Sequence, residues 1–373
     1  MTRASWLLMY LGATALGCST DGPITEPHVL DGGGGGPGSP GFDGGGGGRD
    51  AGIADGPAGF PVDAGSGVPF PGDAGPLSVD AGGNPTLLSM QGVYGDFAQR
   101  ALPSDAITYD VRWPLWTDGA TKRRWLILPA GAGPIDNTDQ DHWKLPIGAR
   151  LIKEFRRNGV LVETRILQRI GPEAADYTLR TFVWNPQQTE ATLTTDGATN
   201  VNGTGHDVPQ ASDCWTCHEG EPGMALGFSA LQLSPATLAA LSSAGRLARP
   251  VAPGTVLGPT GAAGDVAALG YLHGNCGHCH NPTGFAAQFN NQVLRLDTAS
   301  EAADQEPGWR TTVGVAVQGR GLGATERVDP GDAAGSAIIR RMSIRGDGQM
   351  PFLGTEIVDP TGILAVSTWI NNM

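Results

Sequence analysis

The sequence predicts a multi-domain α+β protein, an N-terminal antiparallel β-sandwich-like domain followed by a mostly α-helical region. Three observations carry this prediction. Short segments that alternate apolar and polar residues, separated by turn signals, fill residues 86–212. Helical periodicity appears only later, as in Asp265 to Leu272, Ser336 to Met342 and Ile363 to Asn371. The first 85 residues show neither pattern and concentrate the glycines, of which the chain holds 58 in 373 positions against a usual share of ~7%.

In chain order, residues 1–18 read as a lipoprotein signal peptide. Arg3 supplies the positive start, and Ala4 to Leu16 form an apolar stretch short of the ~20 residues that span a bilayer. Ala15-Leu16-Gly17-Cys18 then reads as a lipobox, so Cys18 is expected to carry acyl chains and anchor the protein to a membrane. Ser19 gives no inner-membrane retention signal. The expected address is therefore exported, on the periplasmic face of the outer membrane or at the cell surface. Residues 19–85 read as a disordered Gly/Asp-rich tether, with glycine runs at 32–36 and 44–48 and too little apolar surface to offset its ordering entropy.

Much of the net charge of −13 belongs to that tether, where Asp21, Glu26, Asp31, Asp43, Asp50, Asp55, Asp63, Asp73 and Asp80 face only Arg49. The remainder is mildly acidic and carries no basic stripe, which argues against a nucleic-acid partner.

Residues 86–212 read as the β-rich domain. Strand candidates are Ile107 to Arg112, Arg124 to Leu128, Arg150 to Arg157, Val160 to Ile170, Tyr177 to Trp184 and Thr189 to Leu193. Asn158-Gly159 marks a type I′ hairpin and Asn185-Pro186 a second turn. Trp113, Trp116, Trp125, Trp143 and Trp184 are expected mainly in its core. Asp118, Lys122, Arg123 and Glu154 with Arg165 form either a polar site or solvated strand faces, and His142 reads as a surface or core residue.

The chemistry lies in the cysteines. Besides Cys18 there are four, in Cys214-Trp215-Thr216-Cys217-His218 and Cys276-Gly277-His278-Cys279-His280. Both are C-x-x-C-H, the attachment signature of a c-type haem. The spacing sets two sulfurs along one edge of a porphyrin and a histidine under its iron. The expected cofactors are thus two c-type haems, held by residues 213–262 and 263–373, with His218 and His280 as proximal iron ligands. A zinc ribbon would bring its paired motifs about three times closer, at about 15–20 residues. A thioredoxin-type site would need one motif at a helix start in a βαβ unit.

The second motif suggests its own distal ligand. Met350, in Gln349-Met350-Pro351, follows His280 by about seventy residues, and a thioether there would favour Fe(II). Met342 competes but has a helical, packed setting, and Arg340 and Arg341 are either propionate partners or surface residues. For the first iron the candidates are His273 and Met224 ahead of His206 and His278. An open position there would admit a small molecule.

The order of leading helix, C-x-x-C-H, loop, Met and final helix makes residues 263–373 resemble a class I cytochrome c domain. The chain as a whole resembles a group of bacterial diheme c-type cytochromes with an N-terminal β-domain. That resemblance runs from about Leu87 to Met373 and rests on Pro114-Leu115-Trp116-Thr117-Asp118-Gly119-Ala120, Lys122, Trp125, Pro146-Ile147-Gly148 and Lys153-Glu154-Phe155. It continues through Glu163-Thr164-Arg165, Val183-Trp184-Asn185, both haem motifs, Gly227-Phe228, Gln232-Leu233, Tyr271-Leu272-His273-Gly274-Asn275 and Met350-Pro351. It implies haem binding, electron transfer and redox partner proteins, and names no substrate. The alternatives are a diheme peroxidase-like oxidoreductase, and a haem-bearing module whose β-domain binds a small molecule, a glycan or a partner.

Overall fold

The computed structural model describes residue 80 and residues 83–252 and 258–373, within a compact unit spanning Gly72–Met373. The expected signal peptide, the anchor at Cys18 and most of the tether lie outside the described residues. Among the described residues no helix is long and apolar enough to cross a membrane. The fold is mixed α+β.

Six antiparallel strands form one sheet in sequential order. They are β1 (Ile107–Thr108), β2 (Thr121–Ile127), β3 (Arg150–Arg157), β4 (Val160–Arg169), β5 (Tyr177–Trp184) and β6 (Ala191–Thr194). The β3–β4 hairpin turns where the sequence predicts. Asn158 (φ 52°) and Gly159 (φ 81°) both take the left-handed conformation that a type I′ turn requires. They follow Arg157, which pairs with Val160.

The predicted sandwich is corrected here: the described strands make a single sheet. Segments without strand periodicity cover both of its faces, so no second sheet is needed. Leu88, Val93 and Tyr94, which precede β1, pack with Trp125, Ile152, Ile166, Phe182 and Trp184 on one face. On the other, Leu126, Leu151 and Leu167 pack with Phe228, Leu233, Leu238 and Leu241. The segment after the first C-x-x-C-H motif is thus the sheet's second layer. Trp125, Trp143 and Trp184 are fully buried, as a core role predicts.

Among the described residues six α-helices follow: α1 (Ala211–His218), α2 (Pro235–Ser243), α3 (Ala263–Asn275), α4 (Pro307–Arg310), α5 (Ala337–Met342) and α6 (Pro360–Asn371). Helix α6 starts one turn earlier than its apolar period suggests. Asp359 accepts hydrogen bonds from the N–H groups of Thr361 (3.0 Å) and Gly362 (3.1 Å), and Pro360 takes the first helical position. Leu269, Leu272, Ile339, Met342, Val366, Trp369 and Ile370 close a separate core around α3, α5 and α6, so Met342 packs as predicted.

Close backbone approaches fix α3. A Cβ on Gly362 would stand 2.1 Å from the Tyr271 ring, so only glycine lets α6 lie on that ring. A Cβ on Gly274 would stand 2.5 Å from the Trp113 carbonyl oxygen, and the Trp113 indole lies equally hard against Gly270. The segment Trp113 to Gly119 therefore runs along α3, between sheet and helices.

Candidate functional site

The first motif occupies α1, where Cys214 and Cys217 are three residues apart and share a helix face. His218 closes the helix. Its Nδ1–H donates to the Met224 carbonyl at 2.6 Å, and the turn that presents this carbonyl is closed by Met224 N–H on Glu221 O at 2.7 Å, with Met224 at φ 56°. Committing Nδ1 as donor fixes the tautomer and leaves Nε2 with its lone pair. Burial, with Lys153 adding, holds the imidazole neutral, its pKa down to about 3 against the opposing pull of Met224 O.

The second motif begins at the end of α3. The N–H groups of Cys276 and His280 donate to Leu272 O and Cys276 O, both at 2.8 Å, carrying the helical turn through the motif. Asn281 locks it from below, its amide donating to Gly277 O (2.8 Å) and His278 O (3.0 Å). His280 is held neutral, its pKa lowered to about 4 by burial, with His278 and Arg327 adding against the opposing pull of the Gln292 backbone. Its Nδ1 is buried without a hydrogen-bond partner.

The two motifs touch, which their separation in sequence gives no sign of. A Cβ on Gly220 would fall 2.4 Å from His278 O. Thr283 Oγ1 donates to Gly220 O at 3.2 Å, and Cys279 Sγ lies 3.6 Å from Thr216 O. The donor atoms of Cys217, His278 and Cys279 all lie within 4.8 Å of one another. A hydrogen bond from Cys279 lowers the Cys217 thiol pKa, and the same contact raises that of Cys279.

A cleft opens between the first motif and the sheet, bordered by Cys214, Cys217, His218, Leu151, Leu167 and Arg165. Arg165 forks onto buried Glu163, with Nε to Oε2 at 2.6 Å and Nη2 to Oε1 at 2.8 Å. His206 Nε2 also bonds Glu163, at 2.9 Å. Burial would raise the Glu163 pKa, but Arg165 and His206 outweigh it and hold the carboxylate ionised. His206, expected among the distal candidates, is thereby spent in this network. Glu154 and Arg165 do not share a site. Register pairs Arg165 with Lys153, so neighbouring Glu154 points from the opposite face, toward Tyr94 Oη at 2.7 Å.

The other distal candidates divide. His273 accepts the Leu296 N–H at Nδ1 (3.0 Å), so the proton of the neutral ring sits on Nε2 and no lone pair remains for iron. The Met224 side chain is buried in the sheet core with Trp143 and Phe228, and the residue serves His218 through its carbonyl instead. His278 borders the cleft. Met350 is half-buried and lines a small space with Met342, Tyr271 and Asn275, the residue before Cys276. Arg340 and Arg341 donate to backbone carbonyls, those of Leu322 and Gly348 among them.

Asp118 is the residue whose role the sequence hid. Its buried carboxylate accepts from Thr355 Oγ1 (2.8 Å), Glu356 N–H (3.0 Å) and Ile357 N–H (2.8 Å), clamping the loop that follows Met350. Trp116 donates from Nε1 to Ile357 O (2.8 Å) and from its backbone N–H to Asn275 Oδ1 (2.7 Å). The segment Trp113 to Gly119 thus braces the Met350 loop against the second motif.

The residues of the first motif fit a c-type haem. They offer paired thiols on one edge, a neutral imidazole with Nε2 left free at His218, and a cleft beside that imidazole with apolar and cationic walls. No family model, curated protein or solved structure matches this chain.

Proposed function

We propose that this chain is a diheme c-type cytochrome that transfers electrons among exported redox partners. The observation that carries the reading is the joint placement of two C-x-x-C-H segments, with His218 held as a neutral Nδ1 donor beside a cleft. Attachment adds each thiol across a vinyl group: a C–S bond forms, the thiol hydrogen goes to the other vinyl carbon, and no electrons are exchanged. Bound haem supplies a one-electron iron centre whose potential follows its ligands and burial. The protein's residues do the rest. Cys214, Cys217, Cys276 and Cys279 fix the macrocycles, and His218 and His280 offer neutral nitrogens. The tight contact of Gly220 with His278 holds the two motifs side by side, so haems attached there would lie near each other. Met350 would offer its thioether to the second iron, beside the packed helices α3 and α6. Export and lipid anchoring through Cys18 belong to the same reading.

The test is expression in a host able to ligate haem. Mass spectrometry of the purified chain should show two covalent haems with a Soret band; a colourless product with free thiols refutes the reading. Met350→Ala should abolish the far-red sulfur-to-iron band and lower one of two midpoint potentials. Persistence of that band removes Met350 from the iron.

One observation favours a second reading. Cys217, His278 and Cys279 converge as soft ligands do around zinc. It leaves Cys214, Cys276 and both terminal histidines unexplained, and metal analysis separates the two: stoichiometric zinc without haem selects it.

A further inference from the structure

The sheet presents a built cationic surface to the first motif. Register places Arg124 opposite Lys153 and Lys153 opposite Arg165, on the same face as the row Leu126, Leu151 and Leu167 one step along the strands. All three cations border the cleft with Cys214, Cys217 and His218. Along one direction this wall therefore changes from apolar to positive.

The charges do not balance. Glu163 is already shared by Arg165 and His206. Among the described residues, Arg124 and Lys153 have no carboxylate within ion-pair distance and donate only to backbone oxygens, Lys153 to Leu226 O at 3.0 Å and Arg124 to Lys122 O at 3.5 Å. Burial, with Arg124 and Arg165 adding, presses the Lys153 pKa down to about 7. A chain gains nothing in stability by crowding cations over a partly desolvated cleft. The arrangement makes sense when an anion completes it.

We infer that Arg124, Lys153 and Arg165 form the carboxylate-binding wall of the first haem site, taking the propionates of the haem held by Cys214, Cys217 and His218. The inference rests on the haem reading above and adds to it a role for the β-domain as half of a cofactor pocket. An amphipathic disc with hydrocarbon on one side and two carboxylates on the other matches the cleft-bordering Leu151 and Leu167 and the cation row in turn. Arg124 supplies a planar donor fork suited to a carboxylate, Arg165, whose Nε and Nη2 are taken by Glu163, keeps Nη1 and its charge, and Lys153 stands between them. Positive charge so placed would raise the potential of that haem, because it offsets the negative propionates that disfavour the added electron of the ferrous state.

The test uses the full holoprotein. Midpoint potentials of the two haems are separated by following the second through its far-red sulfur-to-iron band. Lys153→Met should lower the potential of the other haem alone, and Lys153→Arg should restore it. Arg124→Met, chosen in case Lys153→Met does not fold, should act in the same direction. Resonance Raman spectra of the unmutated protein should show strongly hydrogen-bonded propionates on one haem, weakened in either Met variant. Two covalent haems with unchanged potentials and propionate modes overturn the inference and leave the cytochrome reading intact. Equal shifts at both haems also overturn it, because the row then belongs to neither site in particular. Absence of covalent haem sinks the underlying reading instead.

Discussion

Replacing Cys276 and Cys279 together with serine is expected to remove one haem and unfold the C-terminal core. The motif follows directly from α3, and Cys276 packs against the core of Leu269, Leu272, Val366 and Trp369. Serine at 276 sets a polar hydroxyl where a thiol packs against that core, and loss of a haem attached beside it would act like a large truncation in a core. Single truncations of that kind cost about 3–5 kcal/mol, against about 5–15 kcal/mol holding a typical domain together. Mass spectrometry should register one haem fewer, and helical circular dichroism should fall. The matched pair, Cys214→Ser with Cys217→Ser, should also lose one haem but keep more structure. The sheet beside the first motif has cores on both faces that need no haem. A double variant that keeps two covalent haems would show that attachment does not use these sulfurs.

The contrast between legible and hidden parts follows the range of the forces involved. Asn158-Gly159, the two C-x-x-C-H segments and the α5 helix were readable because neighbouring residues decide them. The early start of α6 was signalled by Asp359-Pro360, which local capping rules would have found. The sheet's second layer was not readable. Its apolar residues, such as Phe228 and Leu233, lie in irregular backbone with no period to detect. The settings of His273 and Met224 were hidden for a related reason. Whether His273 can bind iron is set by Leu296 N–H, 23 residues further on. Met224 matters through its carbonyl, a group every residue has, so its sulfur was a misleading cue. Asp118 stood in a recognisable motif, yet its partners are 237 to 239 residues away.

That long reach makes Asp118 the most informative residue to change outside the haem motifs. Asp118→Ala leaves the N–H groups of Glu356 and Ile357 without their acceptor in a partly buried place. Hydrogen bonds to a charged group contribute about 1.5–3 kcal/mol, and some of that returns when the freed loop meets water. Alanine also bears more of the ~1–2 kcal/mol left-handed penalty, because Asp118 sits at φ 51°, a conformation that a short polar side chain tolerates better than a methyl. The expected destabilisation is therefore about 3 kcal/mol, read as a lower urea midpoint. Asp118→Asn separates the parts. Asparagine tolerates the left-handed conformation and keeps one carbonyl acceptor, so it should cost about half as much. The spectroscopic consequence is sharper than the energetic one. The clamped loop immediately follows Met350, so both variants should weaken the sulfur-to-iron band and lower the second haem's potential, alanine more than asparagine. The first haem should keep its potential. Destabilisation with an unaltered band would mean that the clamp supports the fold but does not position Met350, and the link from the sheet domain to the second iron would be lost.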